Sequence, residues 1–260
     1  MPGQANPHES RKIAVVTGGS RGIGRNTVVS LAKRGVDSIF TFNSHHERAE
    51  AVVAEARAAG ARALALQLDA GNIGAFDAFI KNVERALSSL GQSRFDFLVN
   101  NAGNNHSNMP FDKATEGEFD SVLNVHFKGV FFLTQKLLPL IKDGGRIVNI
   151  STVRTRTASV GGSVYASMKG AIEVLSRHMA KELGPRRIAV NVVAPGPVET
   201  DFSGGIVRDN PAVNKMIAEN TALGRAGLPD DLGPMIASLL SEENHWVNAQ
   251  RIEVAGGVAM

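Results

Sequence analysis

Cysteine is absent from this 260-residue chain, and tyrosine and tryptophan occur once each. Without a thiol there is no disulfide framework, no thiolate metal site and no cysteine nucleophile, which agrees with a reducing compartment. With one tyrosine, any phenolic acid or base has to be Tyr165. No apolar run reaches the roughly 20 residues of a membrane-crossing helix, and the opening MPGQANPHES lacks the apolar stretch of a secretory leader. A soluble cytoplasmic protein is expected, with residues 1–10 as a flexible tail before one domain at 11–260. Charge of one sign is scarce too: the net charge is +3, with 28 Lys and Arg interspersed among 25 Asp and Glu. Arg11, Lys12 and the Arg186-Arg187 pair form no stripe with interleaved aromatics, so neither nucleic acid nor a membrane is expected as a partner. His8, His45, His46, His106, His126, His178 and His245 lack partners at ligand spacing. They read as surface or core residues, and no metal site is expected.

What is present is an alternation. Short apolar or β-branched runs at 13–17, 38–42, 63–68, 95–100, 146–150 and 188–193 read as buried strands. Between them, 47–59, 76–90, 119–141 and 164–183 carry helical period. Strands joined by helices need right-handed crossovers, which give an α/β fold: a Rossmann-type, doubly wound parallel sheet with helices on both faces. The stretch of about 200–228 is richer in Gly, Asn and Pro and reads as a mobile insertion beside the ligand.

The first strand runs into Thr17-Gly18-Gly19-Ser20-Arg21-Gly22-Ile23-Gly24, with helical pattern from Asn26. Glycines let the backbone come close to a pyrophosphate, and the following helix N-terminus favours the anion. The absence of G-K-[ST] argues against a nucleoside-triphosphate loop, while a tight connection without ligand stays open on this segment alone.

Thr17, Gly18, Gly22 and Gly24 match T-G-x-x-x-G-x-G, and the chain resembles the classical short-chain dehydrogenase/reductase family. Its other marks follow in order: Asn100-Asn101-Ala102-Gly103, Asn124, Tyr165-x-x-x-Lys169, Pro195-Gly196 and Gly256-Gly257, so the match spans about 12–257. The resemblance implies hydride transfer between nicotinamide and a carbonyl or alcohol carbon. Tyr165 and Lys169, four apart on a helix, share a face, and an adjacent ammonium together with nicotinamide's positive charge is expected to favour the phenolate. By resemblance Tyr165 is the acid/base, Lys169 also binds the nicotinamide ribose, and Asn124 serves a water-linked proton path. The hydroxyl that holds the carbonyl oxygen is usually a serine thirteen residues before the tyrosine. Here that position is Thr152, with Ser151 expected on the opposite side.

The resemblance likewise assigns cofactor contacts to Gly18, Ser20, Arg21, Gly22, Ile23, Gly24, Asp69, Ala70, Asn101, Ala102, Gly103, Pro195, Gly196, Val198 and Thr200. Residues 40–44, after the second strand, hold no acid to accept from a ribose 2′-hydroxyl, and Arg21 with Asn43 and Ser44 suits a 2′-phosphate. NADP(H) is therefore favoured over NAD(H). The expected activity is a carbonyl reductase, similar to 3-oxoacyl-thioester reductases in its cofactor half. Two alternatives stand beside it: an NADP(H)-binding sensor or scaffold without turnover, and a secondary-alcohol, sugar or sterol dehydrogenase. The small-molecule substrate should be read by 104–111, 153–164 and 202–223, with Arg154 and Arg156 candidates for an anionic group. The family also implies a homo-oligomer, tetramer or dimer, for which Val130, Phe131, Phe132 and Leu133 suit burial.

Overall fold

The strands are β1 (Ile13–Val16), β2 (Asp37–Phe42), β3 (Ala63–Gln67), β4 (Phe95–Asn100), β5 (Ile141–Ile150), β6 (Ala189–Pro195) and β7 (Arg251–Val254) in the computed structural model, which describes residues 11–104 and 109–259. The expected tail at 1–10, and most of the loop around His106, lie outside the described residues. All neighbours pair parallel, in the order β3-β2-β1-β4-β5-β6-β7. The chain thus leaves β1 toward one edge and returns to its other side at β4. A crevice opens where the order reverses, at the carboxyl ends of β1 and β4.

Parallel strands buried on both faces alternate their side chains between two cores. Ile13 and Val15 pack with Phe76, Leu87, Leu133 and Leu137 on one face. Ala14 and Val16 pack with Val28, Leu31, Phe40 and Ile236 on the other. The first face is covered by α3 (Phe76–Ser89), α5 (Gly129–Leu137) and α6 (Ser163–Glu182), and the second by α1 (Gly22–Ala32), α2 (His46–Ala58) and α9 (Pro229–Leu239).

Three elements differ from the sequence expectation. The helix read at 119–141 is α4 (Glu116–Leu123), a π turn at Asn124–Lys128, then α5. β7 went unread because Arg251 and Glu253 break its apolar run, as suits an edge strand. The 200–228 stretch folds into a 3₁₀ turn, α7 (Ile206–Asp209) and α8 (Pro211–Glu219). Its Asn-Pro pair is a helix start: Asn210 Oδ1 accepts from Ala212 N and Val213 N, with proline at the first helical position.

Candidate active site

The glycine turn sits in the crevice. Gly18 (φ +67°) and Gly22 (φ +54°) take left-handed backbone that side chains resist. A Cβ on Gly18 would lie 2.9 Å from Ala102 Cα, and one on Gly24 would overlap the Gly18 carbonyl. Thr17 Oγ1 accepts from Asn101 N at 2.9 Å and Ala102 N at 3.0 Å, while Asn101 Nδ2 donates to Thr17 O and Gly18 O at 2.9 and 3.1 Å. The turn after β1 and the loop after β4 are therefore one unit. Arg21, at the α1 N-cap, makes no side-chain cap bond, so no side chain covers the N–H groups of Gly22, Ile23 and Gly24 from that position. Thr200 brings its methyl to Gly22, and Gly196 packs on Ala255, whose Cβ would lie 3.0 Å from a Cβ at that glycine. Val198 bridges Gly227, which ties the 195–200 segment to the chain before α9. A glycine cradle before an uncapped helix fits the pyrophosphate of a dinucleotide.

At the end of β2, Asn43 and Ser44 are exposed, and positions 40–44 carry no acid. Arg21 Nη1 lies 3.7 Å from Asp201 Oδ2, and Arg48 Nη1, from the first turn of α2, donates to the same oxygen at 2.5 Å. Arg208 Nη1 adds a bond at 2.6 Å to Oδ1, and the Arg208 and Arg48 bonds hold the Asp201 carboxyl below its usual range. Arg48 escaped the sequence reading; its signal is a cation in the helical turn that follows β2. Asp69 is exposed and accepts from Gly71 N at 2.9 Å, closing its own turn. The Ala70 carbonyl packs beside Gly129, where a Cβ would overlap it.

Tyr165 and Lys169 are both buried on α6. Lys169 Nζ donates to Ile150 O at 2.7 Å, at the end of β5, and stands 5.8 Å from the Tyr165 ring centroid. Burial lowers Lys169 to about 8. Burial also pushes the Tyr165 phenol well up, with Arg154 pulling weakly the other way. Desolvation is the largest influence on the phenol and favours its protonated form, while the Lys169 ammonium stands where it can stabilise a phenolate.

Ser151 and Thr152 diverge as strand alternation requires. Ser151 Oγ donates to Glu173 Oε1 at 2.7 Å, and Thr152 Oγ1 accepts from Arg154 N at 3.3 Å. Arg156 Nη1 donates to Glu253 at 3.2 Å, which leaves Arg154 as the arginine whose charge reaches Tyr165.

Asn124 and His126 both lie in the π turn. Asn124 lies toward Gly71, and its Cβ would be 3.9 Å from a Cβ there. His126, almost fully buried, sets its ring edge-on to Tyr165, centroids 5.1 Å apart at 89°. His126 Nε2 lies 2.9 Å from Asn104 Oδ1, whose amide nitrogen donates to Ser121 Oγ at 3.2 Å. Gly103 passes beneath this ring, where a Cβ would sit 2.9 Å from His126 Cε1. The signal for His126 was its spacing from the buried Val122, Leu133 and Leu137, a stripe from which Asn124 is displaced. Phe202 flanks Tyr165 on another side, at 6.0 Å between centroids.

Among the described residues no group of three or more His, Asp or Glu is placed to hold a metal ion, and no helix is long and apolar enough to cross a membrane.

Comparison with known proteins agrees with this arrangement. Residues 18–259 match the family model described as enoyl-(acyl carrier protein) reductase. The chain is 33% identical over 257 residues to a hydroxynaphthalene reductase-like protein of Metarhizium brunneum, covering 95% of this chain and 94% of that one. A promiscuous reductase that catalyses keto-reduction at C1 during lugdunomycin biosynthesis superposes with TM-score 0.90 at 34% identity, covering 96% and 98% of the two chains. An angucycline C-6 ketoreductase with bound NADP superposes with TM-score 0.89 at 34% identity, covering 95% of each. With its glycine cradle, buried Tyr165-Lys169 pair and parallel sheet, the chain belongs to the short-chain dehydrogenase/reductase family of oxidoreductases.

Proposed function

We propose that this protein is an NADP(H)-dependent carbonyl reductase in which Tyr165 is the proton donor. The observation that carries the reading is the burial of Tyr165 beside Lys169 on one helix face, with Lys169 bonded to Ile150 at the end of β5, two residues before Thr152. When bound, the nicotinamide supplies the hydride. The chain's own residues do the rest. Desolvation keeps Tyr165 protonated and ready to donate to a carbonyl oxygen, and Thr152 offers its hydroxyl to the same oxygen. Lys169, held at Ile150 O, carries positive charge below about pH 8, which favours the phenolate left after proton transfer and presents an ammonium to the nicotinamide ribose. His126 supports the phenol ring from its edge, and Asn124 keeps the place in a water-linked proton path that the family resemblance implies. The cradle residues Gly18, Ser20, Ile23, Ala102 and Thr200 hold the pyrophosphate and nicotinamide side, with Asp69 and Ala70 at the adenine end. Arg21 and Arg48, with Asn43 and Ser44, supply the cations and donors that a 2′-phosphate wants.

The rings of Tyr165, His126 and Phe202 suit a flat cyclic ketone, and the names of the hydroxynaphthalene reductase-like relative and the two ketoreductases support that class. A 3-oxoacyl thioester is the second class: the family description names an acyl-carrier thioester, though an enoyl one, and Arg154 lies near Tyr165 for an anionic group. We infer also that the protein works as a homo-oligomer. Leu133 is spent on the subunit's own core, whereas Phe119, Phe131 and Val174 leave apolar surface exposed on α4, α5 and α6.

The test is consumption of NADPH, with NADH in parallel, across cyclic aromatic ketones, quinones and oxoacyl thioesters, using wild type and Tyr165→Phe. Turnover by wild type alone, with NADPH preferred, is expected. NADPH binding without turnover in either protein overturns the reductase reading and leaves a cofactor-binding sensor.

A further inference from the structure

An arginine on the edge strand reaches back to the turn that carries the reactive hydroxyl. Arg251, on β7, donates from Nε to Glu173 Oε1 at 2.8 Å and from Nη1 to Glu253 Oε2 at 2.7 Å. Its Nη2 donates to the Thr152 carbonyl at 3.2 Å and to Thr155 Oγ1 at 3.1 Å. The same Glu173 oxygen accepts from Ser151 Oγ at 2.7 Å and lies 2.8 Å from Thr155 Oγ1. Glu173 is on α6, four residues beyond Lys169 and eight beyond Tyr165, hence on the same face of that helix. One carboxylate oxygen therefore joins the end of β5, the 3₁₀ turn at Val153–Thr155, the helix bearing Tyr165 and the edge strand.

We propose that Glu173 and Arg251 are positioning residues that set Thr152 against Tyr165; this rests on the carbonyl-reductase reading. Thr152 needs such support. Its side chain makes one long local bond, to Arg154 N at 3.3 Å, and the turn after it is only three residues long. The fork of Arg251 holds the Thr152 backbone, so the hydroxyl is placed from behind, by a group that does not meet the substrate. The pair is well shielded, with side chains 18% and 13% exposed, unlike the solvated pairs whose contribution is negligible. Glu253 Oε2 also takes Arg156 Nη1, so Arg156 steadies the arginine's partner in place of a substrate anion.

The test uses the full chain carrying Glu173→Gln, Arg251→Met or Arg251→Lys, the last keeping charge and bulk in case the others disturb folding. Circular dichroism and the NADPH dissociation constant, by cofactor fluorescence, check fold and cradle. Steady-state kinetics follow on the best ketone. Because Tyr165 is the only tyrosine, protein labelled with ¹³C-tyrosine gives a single ring signal that reports the site without turnover. The expected result is an NADPH constant within about twofold of wild type and a kcat reduced roughly 10- to 100-fold, as for a displacement under 1 Å, with little change in KM. Arg251→Lys should not rescue, since an ammonium cannot replace the fork, and the Tyr165 signal should shift or broaden in all three. A folded variant with wild-type kcat overturns the proposal, as does an unmoved Tyr165 signal. If wild type reduces no ketone, the reductase reading fails separately, and the Tyr165 signal still decides whether the pair shapes the site.

Discussion

Replacing Lys169 with methionine should change stability in a way that depends on pH, with a sign set by burial. In the folded chain Lys169 titrates near 8, against an ordinary value of 10.5. Its folded value is depressed, so the unfolded chain binds more protons between the two, and wild-type stability should rise with pH across about 8 to 10.5. At pH 7 the ammonium is held at a cost of about 3 kcal/mol, at 1.36 kcal/mol for each pH unit between the two values. Lys169→Met removes that cost but strips the Ile150 carbonyl of its donor, about 1–3 kcal/mol the other way. At pH 7 the variant should therefore be as stable as wild type or slightly more so, with activity strongly reduced. The sharper measurement is the difference between the two proteins in urea unfolding at pH 7.0 and 9.5. It should move by about 2 kcal/mol in favour of wild type as pH rises. Tyr165 is common to both proteins and largely cancels; its raised value lowers stability only above about pH 10. Parallel pH profiles for wild type and variant would show that Lys169 is not desolvated as its surroundings imply.

Gly24→Ala forces a methyl onto the Gly18 carbonyl and to 2.5 Å from Asn101 Nδ2, so NADPH affinity should fall roughly 10- to 100-fold for an overpacking strain of about 1–3 kcal/mol. Gly170→Ala, with nothing within 4 Å of its added methyl, should bind NADPH as wild type does; cofactor fluorescence titration compares them. Arg21→Ala and Arg48→Ala should each weaken NADPH about tenfold while leaving NADH nearly unchanged, the loss shrinking as salt rises and screens the phosphate. Equal losses for both cofactors would remove these arginines from the 2′-phosphate. His126→Leu breaks the Asn104 bond and the edge contact with Tyr165, and kcat should fall about tenfold; His126→Asn, which keeps a donor, should fall less. An unchanged kcat in His126→Leu would remove the histidine from the site.

The fold was legible wherever burial on both sides of the sheet left an uninterrupted apolar run, as at Ile13–Val16 and Phe95–Asn100. It was illegible where a strand begins with polar residues: β5 starts at Ile141, five residues before Arg146, because Lys142-Asp143-Gly144-Gly145 reads as a turn. Gly144 does adopt φ +77°, and the register with β4 shifts between Phe95 and Phe97. In the site, spacing places Tyr165 and Lys169 on one helix face, but their roles, and the choice of Thr152 over Ser151, come from the family resemblance. His126 did not, because a histidine in an apolar helix reads as core. Glu173 and Arg251 did not either, because 78 residues separate them and only the completed sheet brings them together.

The π turn has an effect on the balance between local stability and alignment. Between Leu123 and Gly129 the helix carries a wider ring, closed by the Gly129 N–H onto Asn124 O, than an unbroken α-helix would need. Removing one residue from Asn124–Lys128 would let the α ladder run through and tighten the helix. It would also turn every side chain before the cut by roughly 100° against those after it. His126 would then leave Tyr165, or Leu133 and Leu137 would leave the core. The same five residues thus forgo some helix energy to keep two faces in phase, and a selection for thermal stability alone would act against them.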